Sequence, residues 1–261
     1  MRIATWCIGG VLGRLEFLCH WLERRQPDVV ALQKIRVSEE KFPAEALAGV
    51  GYSSEPLRGE SWYGVALLAR NDGPKPEILD RGLPPGDRPD DDGFLTARIG
   101  HLVVSSVYAP YGDPKRRGRA GALKYKVAWL DRLIEHLQAR RIASGRSVLC
   151  GDFNVLPDVP AKRGVLNCTP DEKERLRAIL ETGFVDLYKP VDPLSGEGLN
   201  YGFDPNSQPT ARLQLMLGSE SMAGSVASAR VDLQYRKPVD GLPGRKWPAS
   251  APLIVDLAGP A

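Results

Sequence analysis

The sequence predicts an α/β domain in which helices cover β-sheet. Two observations carry this. Short runs rich in β-branched and aromatic residues alternate with amphipathic helical stretches from the first residues onward. The 261 residues, 43% of them hydrophobic, are enough for a sizeable core, and neither an internal repeat nor a linker divides them. One domain over residues 1–261 is expected.

The elements follow in order. Residues 2–8 read as a strand that Gly9-Gly10 breaks. Val11, Leu15, Leu18 and Leu22 then share one helical stripe ending near Gln26-Pro27. Residues 29–32 are a buried strand type. Residues 63–69, 94–99 and 102–109 are further strands, and the Pro-, Gly- and Asp-rich stretch 82–93 is a loop. Residues 122–141 form the clearest helix, with Val127, Leu130, Ile134 and Leu137 at helical spacing. A strand over 147–150 follows. Thr169-Pro170-Asp171-Glu172 supplies an N-cap, a first-turn proline and first-turn acids for a helix to about Thr182. Residues 213–217 and 253–257 are late strands, whereas 190–209 and 239–250 read as long loops.

A net charge of +3 and a pI near 8.6 permit a nucleic-acid partner without demanding one. Cys7, Cys19, Cys150 and Cys168 are widely spaced and contain no Cys-x-x-Cys pair, which fits reduced cysteines in a cytoplasmic protein. No secretory h-region or long apolar span is present, so neither export nor membrane insertion is expected. The expected state is a monomer. His20 and His136 fall within amphipathic helices and His101 at a hairpin turn. Cys7 and Cys150 read as small core residues; no histidine is placed by sequence to activate either thiol. Trp21 and Trp129 read as helix-packing residues, and Trp247 as a stacking candidate in a loop.

The segment Gly151-Asp152-Phe153-Asn154 ends the strand over 147–150 and presents a carboxylate and a carboxamide at a strand tip. That pair suits orienting a water or a metal over a phosphate. The same residue types are also ordinary turn formers, so the rest of the chain decides their meaning.

Further blocks lie upstream of this motif: Gln26-Pro27-Asp28-Val29-Val30-Ala31-Leu32-Gln33, Phe42-Pro43 with Gly51-Tyr52, Tyr63-Gly64-Val65-Ala66-Leu67-Leu68, Val107-Tyr108-Ala109-Pro110, and Lys124-Tyr125-Lys126. In this order the chain resembles the exonuclease III branch of the endonuclease/exonuclease/phosphatase superfamily over nearly its whole length. The resemblance implies a DNase I-like four-layer α/β sandwich, with two mixed sheets face to face and helices outside. It also implies Mg²⁺-dependent cleavage of DNA at abasic sites or at 3′ ends.

Carried over residue by residue, Tyr108, Asp152 and Asn154 occupy retained family positions, Tyr108 as a phosphate contact. Other positions depart. Cys7 stands for a family Asn, Leu12 for a nearby Arg, and Lys34 for the metal-binding Glu. Gln214 stands for the Asp of a late Arg-Ile-Asp strand, and Ala249 and Ser250 for a terminal Asp-His pair. No histidine follows His136, so no alignment supplies that pair. Three carboxylates and an imidazole are therefore missing. Lys34 is expected to fill the vacant metal position and pair with Asp152. Glu39 and Glu40 lie too far downstream to replace the lost Glu, and Asp204, Asp232 and Asp240 read as loop or surface acids.

The expected function is a nucleic-acid-binding or regulatory protein that has lost Mg²⁺-dependent nuclease activity and carries no cofactor. One alternative is an active DNA-repair nuclease with displaced ligands for Mg²⁺ or Mn²⁺; another is a protein-interaction module. DNA or RNA is the expected partner on the first two readings, a protein on the third. Lys115, Arg116, Arg117, Arg119, Lys124 and Lys126, set in a glycine-containing loop and the helix after it, are the nucleic-acid-binding candidates. The acidic loop 87–92 reads as solvated.

Overall fold

The computed structural model describes residues 1–58, 64–84, 92–111, 114–156, 168–188, 198–202, 209–237, 239, 242 and 248–259, without the side chains of 114–117 and 119. In chain order the elements are β1 (Arg2–Cys7), α1 (Leu15–Arg25), β2 (Val29–Gln33), α2 (Ala44–Gly49), β3 (Tyr52–Leu57), β4 (Val65–Arg70), β5 (Glu77–Arg81), β6 (Phe94–Ile99), β7 (Leu102–Tyr108), α3 (Pro114–Ala139), β8 (Ser147–Asp152), α4 (Pro170–Glu181), β9 (Phe184–Asp186), β10 (Gln214–Ser219), β11 (Val226–Val231) and β12 (Leu253–Leu257).

The described strands form two six-stranded mixed sheets, ordered β11-β12-β1-β2-β4-β3 and β5-β6-β7-β8-β10-β9. Each holds one parallel pair, β1 with β2 and β7 with β8, flanked by antiparallel neighbours. Strand alternation builds the layers. Ile3, Val29, Ala31, Val65 and Leu67 point inward and meet Leu95, Ala97, Val104, Val148 and Met216 of the facing sheet. Ala4, Trp6, Val30 and Leu32 point outward onto Phe17, Leu18, Trp21 and Leu22 of α1. On the far side Leu149, Leu215 and Leu217 take Trp129, Leu130, Leu133 and Leu137 of α3 and Leu176 and Ile179 of α4. The result is the four-layer α/β sandwich that the family resemblance implied.

The helix expected over 122–141 begins earlier, at Pro114, and absorbs most of the expected flexible loop. Gly118, at φ 66°, ψ 163°, breaks its geometry. Helix α4 opens with a capping box in which the Thr169 hydroxyl accepts from the Glu172 N–H and the Glu172 carboxylate accepts from the Thr169 N–H. His136 is buried near Asp80, and His20 Nδ1 lies 3.0 Å from the Tyr235 hydroxyl.

The first sheet is tied at its edge by Asp256, which pairs with Arg2 of β1 and Arg230 of β11. Burial works against its ionisation, but the hydrogen bonds from Arg2, Ser228 and Arg230 outweigh that and bring its carboxyl from 3.8 to about 2. A folded pKa below the unfolded value adds stability above about pH 4 and loses it as pH falls toward 2. Discounted for partial exposure, the effect is about 1–2 kcal/mol. Acid unfolding of Asp256→Asn should lack this contribution, so the variant and the parent should converge in stability near pH 2.

Candidate active site

The two parallel pairs face each other across the sandwich, and their carboxyl ends open at one place. β1 ends there at Cys7, β2 at Gln33, β7 at Tyr108 and β8 at Asp152, while β10 begins with Gln214 in register with Asp152. The Gln33 amide joins the sheets, donating to Thr5 Oγ1 at 3.0 Å and Ser106 Oγ at 3.1 Å. Gly151 precedes the carboxylate at φ 148°, and a Cβ there would overlap the Val107 carbonyl. Gly151→Ala should cost about 3 kcal/mol or more, read as a lowered urea midpoint.

Asp152 is 3% exposed. Its carboxylate accepts the Asn154 N–H at 3.0 Å and faces the Cys7 thiol. Burial raises its pKa, and the Asn154 N–H, Cys7, Lys34 and Lys126 oppose that only in part. Cys7 is pushed well up, first by burial and then by the Asp152 charge, so it is a thiol and not a nucleophilic thiolate. Gln214 is engaged at both ends of its amide: its Oε1 accepts the Cys7 N–H at 2.6 Å and its Nε2 donates to the Ala251 carbonyl at 2.9 Å. Ser250 touches the Cys7 thiol and its carbonyl accepts the Trp6 indole N–H; the Ala249 carbonyl accepts from Arg236. Cys7, Asp152, Gln214 and Ser250 thus meet at one point.

Asn154, at φ 50°, donates from Nδ2 to the Ala109 carbonyl at 2.8 Å. Its own carbonyl accepts from Lys126 Nζ at 2.5 Å, and Lys126 also pairs with Glu172 at 2.5 Å. Lys126 is 3% exposed, so it is not a surface phosphate contact as expected. It lies on the stripe of Leu130, Leu133 and Leu137 that α3 turns inward, and that stripe is the signal that marked it as buried. Burial disfavours the Glu172 charge, but Lys126 outweighs it and holds the carboxyl below the usual range. Lys124 is exposed, while the side chains of Lys115, Arg116, Arg117 and Arg119 lie outside the described residues.

Lys34 is half-buried, at φ 59°. It acts on Asp152 and Cys7 through its charge, yet no Lys34–Asp152 ion pair forms among the described residues. The expected direct pairing is corrected accordingly: the left-handed turn after β2 holds Lys34 near the carboxylate but not on it. Glu39 pairs with Arg81 and Asp232 with Arg25, so neither replaces the lost Glu. Asp204, Asp240, Trp247 and most of the acidic loop 87–92 lie outside the described residues.

Tyr108 sits between the sheets in register with Asp152 and is 3% exposed, which leaves little ring surface for a phosphate. Three contributors went unread in the sequence. Asn200 staples β10 by accepting the Leu213 and Gln214 N–H groups. Burial pushes Tyr201 up to about 12, and the Asp152 charge adds to that. Arg14 folds its guanidinium back onto the Gly9 carbonyl at 2.5 Å, two residues beyond Leu12.

Residues 9–232 match the Endonuclease/Exonuclease/phosphatase family. The chain is 26% identical over 270 residues to exodeoxyribonuclease III of Haemophilus influenzae, covering 93% of this chain and 98% of that one. Among solved structures it is similar to an AP endonuclease from Archaeoglobus fulgidus, with TM-score 0.85, 25% identity, and coverage of 98% and 99%. It is similar also to a 3′ phosphatase from Neisseria bound to product DNA hairpin, with TM-score 0.82, 26% identity, and coverage of 99% and 100%.

These likenesses overturn the expectation that no cofactor is involved, because exonuclease III and AP endonuclease homologues use divalent metal ions. The described donor set nevertheless fits a hard dication poorly. Among the described residues no group of three or more His, Cys, Asp and Glu gathers, and Asp152 is flanked by a thiol, an uncharged carboxamide that makes two hydrogen bonds, and an ammonium. In fold and in sequence over residues 9–232, the chain belongs to the endonuclease/exonuclease/phosphatase family.

Proposed function

We propose that the chain binds DNA in this cleft and hydrolyses phosphodiesters much more slowly than relatives with a full acid set. The observation that carries the reading is Asp152, a single buried carboxylate among Cys7, Gln214 and Lys34. Phosphoryl transfer rests on positioning and on charges preorganised for the transition state. Here one carboxylate with a raised pKa remains, and no described histidine joins it.

Arg14, Lys34 and Arg36 give the cleft a positive wall. Leu12 and Tyr111, 53% and 45% exposed, follow β1 and β7 on the same side and suit contact with sugar and base. The relatives named above act on DNA or its ends, which supports DNA as the ligand and favours a second reading, an active nuclease with displaced ligands.

Fluorescence anisotropy with a duplex carrying one abasic site, across a salt series, tests the binding. The expected result is affinity that falls with salt by a slope of about −0.9 per neutralised phosphate. Affinity for duplex that is absent, or flat in salt, would remove the reading. Rapid Mg²⁺-dependent incision lost in Asp152→Ala would establish the second reading instead.

A further inference from the structure

We propose that Lys34 is a nucleophile that captures the C1′ aldehyde of a DNA strand that has lost a base, and that it cuts the strand by elimination and not by hydrolysis. The inference rests on the cleft being a DNA site and adds a second, metal-independent chemistry to it.

Lys34 has the placement a Schiff-base lysine needs. Gln33 and Ile35 on either side of it are wholly buried. The Gln33 carbonyl accepts the Ile8 N–H at 3.1 Å, and the Ile35 N–H donates to the Gly64 carbonyl at 3.3 Å, so the backbone is pinned on both sides. Lys34 itself sits at φ 59°, a left-handed conformation that costs a non-glycine residue energy and recurs at functional sites. Gln33 is in register with Cys7 at the end of β1. The Lys34 charge acts on both Cys7 and Asp152, which places the ammonium in the cleft at the strand ends. The side chain is half-buried, and among the described residues no hydrogen bond or ion pair engages its ammonium. The competing nucleophile at the same point is disarmed, because Cys7 is buried and stays a thiol.

Intact DNA offers an amine no carbonyl to condense with. Loss of a base opens the deoxyribose to an aldehyde at C1′, and lysine amines form Schiff bases with carbonyl groups. The Lys34 nitrogen bonds to C1′, and the aldehyde oxygen leaves as water with one proton from the amine and one from solvent. The resulting iminium draws electrons from C2′, whose proton passes to water. The C3′–O bond then breaks, its electron pair leaving on the phosphate, and a C2′=C3′ double bond forms. Water hydrolyses the imine and returns Lys34. One strand end keeps a 5′-phosphate and the other an unsaturated aldehyde, with no net oxidation. The iminium carries the same charge as the ammonium it replaces, so Asp152 faces a cation before and after capture. Hydrolysis draws on carboxylates around a dication, whereas elimination draws on an amine, and the residues beside Asp152 suit the second better.

The test uses a duplex carrying one abasic site, with a chelator of divalent ions and sodium cyanoborohydride, which reduces an imine to a permanent amine link. The expected result is a covalent protein–DNA adduct that peptide mapping by mass spectrometry places on Lys34. Lys34→Arg keeps the charge but has no amine to condense, so adduct yield should fall at least about tenfold while duplex affinity stays within about twofold. Without the borohydride, the parent should cut the strand in chelator and leave the unsaturated aldehyde at the 3′ end. Undiminished adduct in Lys34→Arg, an adduct mapped to another lysine, an adduct without incision, or duplex binding with no adduct overturns the elimination while leaving DNA binding intact. Absence of binding to the duplex by either protein overturns both readings.

Discussion

Replacing Lys126 by methionine should lower folding stability by about 3–5 kcal/mol, read from urea unfolding. Lys126 is 3% exposed and donates to Glu172 and to the Asn154 carbonyl. Methionine preserves most of the volume, so the loss isolates the charge. It leaves the Glu172 carboxylate buried without its partner, weakens the capping box that starts α4, and frees the carbonyl of a residue at φ 50°. Adding Glu172→Gln removes the stranded charge, so the double variant should recover more than half of the loss. A single-variant loss below about 1 kcal/mol would mean that the pair adds little beyond packing. The same pair couples fold to site, since Lys126 holds the Asn154 end of the motif that carries Asp152.

Lys34→Glu should tighten Mn²⁺ binding at least about tenfold over the parent chain, measured by titration calorimetry or by the Mn²⁺ electron-spin signal. The change reverses one charge beside Asp152 while leaving the fold's buried contacts alone, because Lys34 is half-buried and unpaired among the described residues. A swing of two unit charges on a dication several ångströms away is worth a few kcal/mol even at a surface-like dielectric, against about 1.4 kcal/mol for each factor of ten. Equal Mn²⁺ affinity in the two proteins would show that Lys34 does not face the ion's position.

The sequence carried the centre of the fold and lost its margins. β1, β2, β4, β6, β7, β8, β10 and β12 all lie at or near the reading from apolar runs, because both faces of these strands are buried. The unread strands β3, β5, β9 and β11 are the four sheet edges. β3 contains Pro56 and two serines, three of the five residues of β5 are charged, β9 has 3 residues, and β11 is half-exposed. Edge strands bury little and carry the polar residues that discourage further pairing, so their apolar signal is faint. At the site, the family resemblance pointed to Asp152, Asn154, Cys7, Lys34 and Gln214. It did not reveal that Gln214 spends its amide on the Cys7 N–H and the Ala251 carbonyl, since those bonds join segments 207 and 37 residues apart. The basic character of Lys126 concealed its burial, which only its place on the Leu130, Leu133 and Leu137 stripe betrayed.

On the proposed reading, one carboxylate among a thiol, a carboxamide and cations leaves DNA cleavage slow. The incision rate of a single-abasic-site duplex in saturating Mg²⁺, run beside exodeoxyribonuclease III of Haemophilus influenzae, tests it most directly. The account predicts a rate slower by on the order of 10³ or more, given several missing charge-stabilising groups, and barely changed by Asp152→Asn. A rate within about tenfold of the relative, abolished by Asp152→Asn, would contradict it.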